Sequence, residues 1–140
     1  MDKDNRNLLL HDLSSRIPYG VKVAVNQSEL QNYDYKWKNW SFDEEPQEID
    51  GVSIYGVTFG CMDMSDGVIG FEFIKPYLLP LSSMTEEQSK IYHELIGGML
   101  ETSALINFEV LEDFFHKNHL DYRGLIEKSL ALDATNLNIY

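Results

Sequence analysis

At 140 residues and 16.2 kDa, with 44% hydrophobic and 12% aromatic side chains, the chain is long enough to bury a core of its own and too apolar for a disordered segment. Its 23 acidic against 11 basic side chains give a net charge of −12, and the basic ones are scattered from Lys3 to Lys128, so a surface that tracks nucleic-acid phosphates is not expected. A single cysteine, Cys61, excludes an internal disulfide, no run approaches the roughly 20 apolar residues of a membrane span, and Met1–Gly20 lacks a signal-peptide pattern, which together predict a cytoplasmic protein.

In chain order, Leu8–Ile17 reads as a short helix with Leu9, Leu10, Leu13 and Ile17 near one face, stopped by Pro18. Tyr19–Asn26 alternates, with Val21, Val23 and Val25 on one side, and predicts a half-buried strand. Tyr33, Tyr35 and Trp37 alternate with Asp34, Lys36 and Lys38. This suggests a second strand with an aromatic face, and a bulge near Asn39 would bring Trp40 and Phe42 onto that face. Residues 42–50, with five carboxylates and Pro46, read as a solvated acidic loop. Gly51–Asp63 alternates again with a bend at Gly56, Ser65-Asp66-Gly67 supplies a tight turn, and Val68–Ile74 is the expected returning strand.

Lys75–Gln88 is the expected hinge between a sheet and a helical segment. Pro76 and Pro80 keep Lys75 to Leu79 extended, and Thr85 with Gln88 forms a capping box whose Glu86 and Glu87 favour the helix dipole. Ile91, Leu95 and Met99 begin an apolar stripe, interrupted by Gly97-Gly98 at a kink, a close helix contact or a break. A second stripe, Leu105, Phe108, Leu111 and Phe115, runs to about His119. Asp121 then reads as the N-cap of a last helix over Tyr122–Leu132. The expected fold is α+β in one domain, residues 1–140. A short N-terminal helix and an antiparallel β-meander that could curl into a small SH3-like barrel make a mainly β lobe over 1–80, and the helical segment makes a lobe over 81–140.

Three blocks, IPYGVKV at Ile17–Val23, KPYLLPLSSMTEEQ at Lys75–Gln88 and NHLDYRGLIEKSLAL at Asn118–Leu132, resemble a family of small uncharacterised proteins from gut Bacteroidetes and their phages or prophages. In that family the blocks recur in this order as PYGVKV, PYLRPLSSMT and DYRGLIEKGLA; here Leu79 replaces the arginine and Ser129 the glycine. The resemblance implies a mobile-element origin and supplies no activity.

No catalytic set, cofactor fingerprint or metal-ligand pattern stands out. His93-Glu94 fails as a zinc-protease motif because the second histidine's position holds Gly97. His116 and His119, with Asp113 and Asp121 nearby, form the one conceivable metal cluster, although histidines near a helix C-terminus are commonly explained by the dipole. Cys61 is expected to be a small buried hydrophobe, and Ser82-Ser83 to be turn and cap residues. Tyr122 and Arg123, weighed against docking of the last helix on the body, and the aromatic run Tyr33, Tyr35, Trp37, Trp40 and Phe42, weighed against core or self-association, hold the candidate binding residues, Tyr122, Arg123, Tyr35, Trp37 and Trp40. The expected function is a non-enzymatic protein-binding module of phage or prophage origin, with another protein as partner and neither nucleic acid nor membrane bound directly. The alternatives are an acidic decoy inhibitor of a nucleic-acid-handling or defence enzyme, and a small metal-dependent hydrolase built on His116 and His119.

Overall fold

The structure is a computed structural model that describes the chain apart from residues 43, 44, 64, 102 and 103; for 98–101 and 104–107 it gives the backbone alone. Helix α1 spans Lys3–Arg16. It starts earlier than its apolar face because the Asp2 carboxylate accepts from Asn5 N–H at 2.7 Å and caps it. It ends in a 3₁₀ turn at Ile17–Tyr19, where Pro18 stops the helix and Gly20, at φ 76°, redirects the chain. Leu9 and Leu13 are fully buried, so α1 lies on the core as its leucines predict.

Strand β1, Lys22–Val25, is the central strand of an open five-stranded sheet in the order β3-β2-β1-β4-β5. The α+β expectation holds, with a mixed sheet that does not close into a barrel. Strand β2, Gln47–Ser53, and β3, Gly56–Phe59, form a hairpin turning at Ile54-Tyr55, so the expected long strand is two short ones. The acidic loop ends sooner than expected: Ile49 is buried, and the segment from Gln47 pairs with β1. Residues 43 and 44 of that loop lie outside the described residues.

The second expected strand is absent. Instead α2, Gln27–Tyr33, is followed by a 3₁₀ turn at Tyr35–Asn39. Two short polar side chains redirect the backbone: Asn26 accepts from Glu29 N–H at 3.3 Å and Asp34 from Lys36 N–H at 3.0 Å. The buried Gln27 amide then holds the loop, donating to Trp37 O at 2.9 Å and accepting from Phe42 N–H at 3.3 Å. These local bonds outcompete an alternation that carried no ladder partner.

After the expected turn at Ser65-Asp66-Gly67 the chain does not return along its own hairpin. Ile69 makes one bridge to Val57, Phe71–Phe73 form a 3₁₀ turn, and β4, Ile74–Leu78, crosses to the other side of β1. Asn26 N–H bonds Phe73 O at 2.7 Å, which sets the alternation so that Pro76 falls opposite Val23 at a position whose missing N–H would point away from β1. On the other flank β5, Leu132–Asp133, pairs in parallel starting opposite Tyr77, past the proline.

The capping box forms reciprocally: Gln88 N–H donates to Thr85 Oγ1 at 3.1 Å and Thr85 N–H to Gln88 Oε1 at 3.0 Å. Helix α3, Glu86–Glu101, runs through Gly97 without a break, and nothing lies within 4 Å of where a Cβ at Gly97 would sit. Helix α4 is Ala104–Lys117. The expected last helix is overturned. Asp121 accepts from Leu125 N–H and Ile126 N–H, both at 2.8 Å, but it anchors a series of turns, because Gly124 at φ 73° and Ser129 at φ 59° leave the helical region. Two apolar clusters result. The sheet core includes Leu125, Leu130 and Ala131 from these turns, and a second cluster of Leu111, Phe114, Phe115 and Leu120 lies under α3.

Gly56, at φ 153°, shows how tightly β3 is held. A Cβ there would stand 2.1 Å from the Ile69 carbonyl oxygen. Gly56→Ala is therefore expected to destabilise the fold by about 2 kcal/mol or more, combining backbone strain with loss of the Val57–Ile69 bridge, as read from the urea midpoint.

Candidate functional site

The first candidate pair, Tyr122 and Arg123, is turned inward by a buried charge cluster. Asp12 and Arg16 lie one turn apart on α1, and both are 0% exposed. Arg16 Nε donates to Asp12 Oδ2 at 2.8 Å, and Arg16 Nη2 donates to Asp12 Oδ1 at 3.1 Å and to Leu120 O at 2.7 Å. Arg123 Nε stands 3.3 Å from Asp12 Oδ1, at ion-pair distance though not aligned for a hydrogen bond. The Tyr122 ring stacks on Phe115 at 4.7 Å, with the Arg16 and Arg123 guanidinium groups 5.7 and 4.9 Å from its centre. Its hydroxyl lies 2.9 Å from His116 Nε2. Burial pushes the Tyr122 phenol up and the His116 imidazole down, so both favour their neutral forms in this hydrogen bond. Tyr122 and Arg123 thus dock the segment after α4 onto α1.

The histidines proposed as metal ligands have other partners. His119, at φ 57°, stacks face to face on Tyr140 with centroids 3.5 Å apart and planes 9° apart. The Tyr140 hydroxyl accepts from Lys22 N–H at 2.9 Å and donates to Tyr77 O at 2.8 Å, standing in for the β1–β4 ladder bond at that position. Burial raises its phenol to about 12. His119 is lowered to about 4, first by burial and then by the Arg16 and Lys22 charges. Among the described residues no three His, Cys, Asp or Glu side chains converge as metal ligands.

The aromatic run does not form one face. Trp37, 2% exposed, is core; Trp40 stacks on Phe42 at 5.5 Å and meets Trp37 edge-on at 5.7 Å. Tyr33 and Tyr35 are presented to solvent, with Lys38 Nζ donating to the Tyr35 hydroxyl at 2.8 Å. Cys61 is exposed rather than buried, because the strand expected to hold it ends at Phe59.

No family model, curated protein or solved structure matches the chain. Its own geometry is therefore the guide to its site.

A groove of about 570 Å³ lies between α3 and α4, with Tyr19 among its lining residues. Ile91 and Leu95 line one wall and Val110 and Phe114 the other, with Glu87 and Asp113 among the polar residues around them. Ile91 and Val110 are 39% and 45% exposed, and Phe108 beyond them is 49% exposed. The Tyr19 hydroxyl donates to Asp113 Oδ1 at 3.0 Å, and that carboxylate raises the Tyr19 phenol. The groove holds apolar walls, and the charged residues at its rim are Glu87, Asp113 and Lys117. Sequence reasoning put both apolar rows on helices but did not mark Ile91 and Val110 as exposed. It also passed over Asp12 and Arg16, whose spacing is equally common on solvated faces. No helix among the described residues is long and apolar enough to cross a membrane.

Two outcomes follow from the buried cluster. Asp12→Ala strands the Arg16 charge and is expected to cost about 3–5 kcal/mol in urea unfolding, whereas Asp12→Ala combined with Arg16→Met recovers part of that loss. The second concerns His119, whose folded value of about 4 lies below its ordinary 6.5. Stability is full above 6.5, where both states are neutral at this position, and falls as pH drops from 6.5 toward about 4, because the unfolded chain takes up a proton that the folded one excludes. His119→Gln is expected to flatten this part of the stability profile, measured as urea midpoints across that range.

Proposed function

We propose that this chain is a non-enzymatic protein-binding module of phage or prophage origin, acting in the cytoplasm, and that α3 and α4 present its binding face. The observation that carries the reading is exposed apolar surface on both walls of the α3–α4 groove, Ile91 on one and Val110 on the other, beside the half-buried Leu95 and the buried Phe114. Solvent-facing apolar side chains on two adjacent helices have a cost in water that a partner removes. Most of the other candidate residues are already used within the protein, Trp37 in the core with Trp40 packed against it, and Tyr122 and Arg123 against α1, which leaves Tyr35 exposed on its own turn. The block resemblance to phage and prophage proteins supports the origin. The hydrolase alternative has less to draw on, since His116 faces Tyr122 and His119 faces Tyr140. The decoy alternative would need its carboxylates on one face, and they are spread over α1, β2, α3 and α4.

The test is an affinity pull-down from the native host after nuclease treatment, read by mass spectrometry, with the wild-type chain and an Ile91→Glu/Val110→Glu variant in parallel. One stoichiometric protein is expected with the wild type and at least about tenfold less with the variant, whose urea midpoint stays unchanged because both positions are solvent-facing. Equal capture by both forms, or no partner above background, overturns the reading.

A further inference from the structure

We infer that the occupant of the α3–α4 groove is a lysine- or arginine-rich amphipathic helix of another protein, laid along the two helices as a third; this rests on the binding face proposed above. The first argument is backbone chemistry. Both walls are helices, whose N–H and C=O groups are paired within themselves, so the groove offers no edge on which an extended peptide could form a ladder. A segment entering between apolar walls must satisfy its own backbone, and a helix does so. The walls have matching geometry. Ile91 and Leu95 are four residues apart, as are Val110 and Phe114, giving two rows about 6 Å long into which the ridge of a third helix fits.

The second argument is charge. The described side chains of α3 and α4 carry six carboxylates, Glu86, Glu87, Glu94, Glu109, Glu112 and Asp113, against two lysines, Lys90 and Lys117. Among the described residues none of the six belongs to an ion pair; the four pairs are Arg6–Glu72, Arg16–Asp12, Lys36–Asp34 and Arg123–Asp12. Asp113 accepts from the uncharged Tyr19 hydroxyl, and of the groove-lining residues Lys117 is the cation set against Glu87 and Asp113. A second copy of the chain would bring its own charge of −12 to this rim, and nucleic acid or an anionic lipid surface would likewise be repelled. A cationic helix with one apolar face satisfies both the walls and the rim.

A synthetic peptide of about 18 residues, long enough to populate a helix, tests this when built with leucines at helical spacing on one face and lysines elsewhere. Two controls accompany it, one with glutamate in place of lysine and one with the lysine sequence scrambled. Isothermal calorimetry is expected to show that the lysine helix binds the wild-type chain at least about tenfold more tightly than either control, and more weakly as salt rises. Glu87→Gln/Asp113→Asn is expected to weaken binding about three- to tenfold and Ile91→Glu/Val110→Glu to abolish it, with urea midpoints confirming that both variants fold. Equal binding of a control peptide, or no effect of neutralising the rim, overturns the inference. The two proposals fail separately. A natural partner lost by the Ile91→Glu/Val110→Glu variant but not displaced by the lysine helix sinks only the basic-helix occupant, whereas a partner retained by that variant sinks the groove itself.

Discussion

The buried Asp12–Arg16 pair is the constraint around which the molecule is arranged. Two charges withdrawn from water cost several kcal/mol each unless their remaining donors and acceptors are satisfied, and one helical turn cannot satisfy both. The rest of the chain supplies part of what is missing, and Arg16 Nη1 stays buried without a partner among the described residues. Arg16 reaches the Leu120 carbonyl, and Arg123 approaches the carboxylate from the other side. Leu120 is itself tied to the sheet, because Leu79 N–H donates to His119 O and Asp121 N–H donates to Leu79 O, both at 2.8 Å. Helix α1, the end of α4 and the exit from β4 therefore meet within a few residues of one another.

How much of this could be read from the sequence depended on the range of the forces involved. Where local chemistry decides, reading succeeded. The Thr85–Gln88 box, the extended proline hinge and the alternating valines of β1 each act over a few residues. Where two local signals compete, it failed. The aromatic alternation at 33–37 imitates a strand, but Asn26 and Asp34 offer their oxygens to nearby N–H groups and wind the segment into helical turns. Asp121 carried a genuine capping signal, yet the positive φ angles at Gly124 and Ser129 use that capped start for a turn. Where the deciding partner is distant, nothing local marked it. Pairing of β5 with β4, and the placing of Tyr140 between Lys22 and Tyr77, are consequences of tertiary packing.

The same division explains the candidate site. Aromatic and arginine side chains are good anchors for partners and equally good at filling a core, and a sequence does not distinguish the two uses. Here the tryptophans complete a small core above an open sheet, and Tyr122 insulates a charge cluster. Exposed apolar surface lies also with plainer residues, Ile91 and Val110, because two packed helices carry more apolar circumference than their neighbours cover.

The contact between Arg16 and the Leu120 carbonyl joins positions 104 residues apart, and this bears on the order of assembly. Until the residues beyond α4 are in place, Arg16 lacks its backbone acceptor, and α1 settles on the sheet with part of an ionic cluster unsatisfied. The bond rewards only the nearly complete chain, a high-contact-order arrangement in which closing long loops precedes the gain. On a ribosome the first strands emerge before this fastening exists, and their apolar face waits for it. Late closure of this kind makes folding nearly all-or-none and sets its pace by the arrival of the second half of the chain.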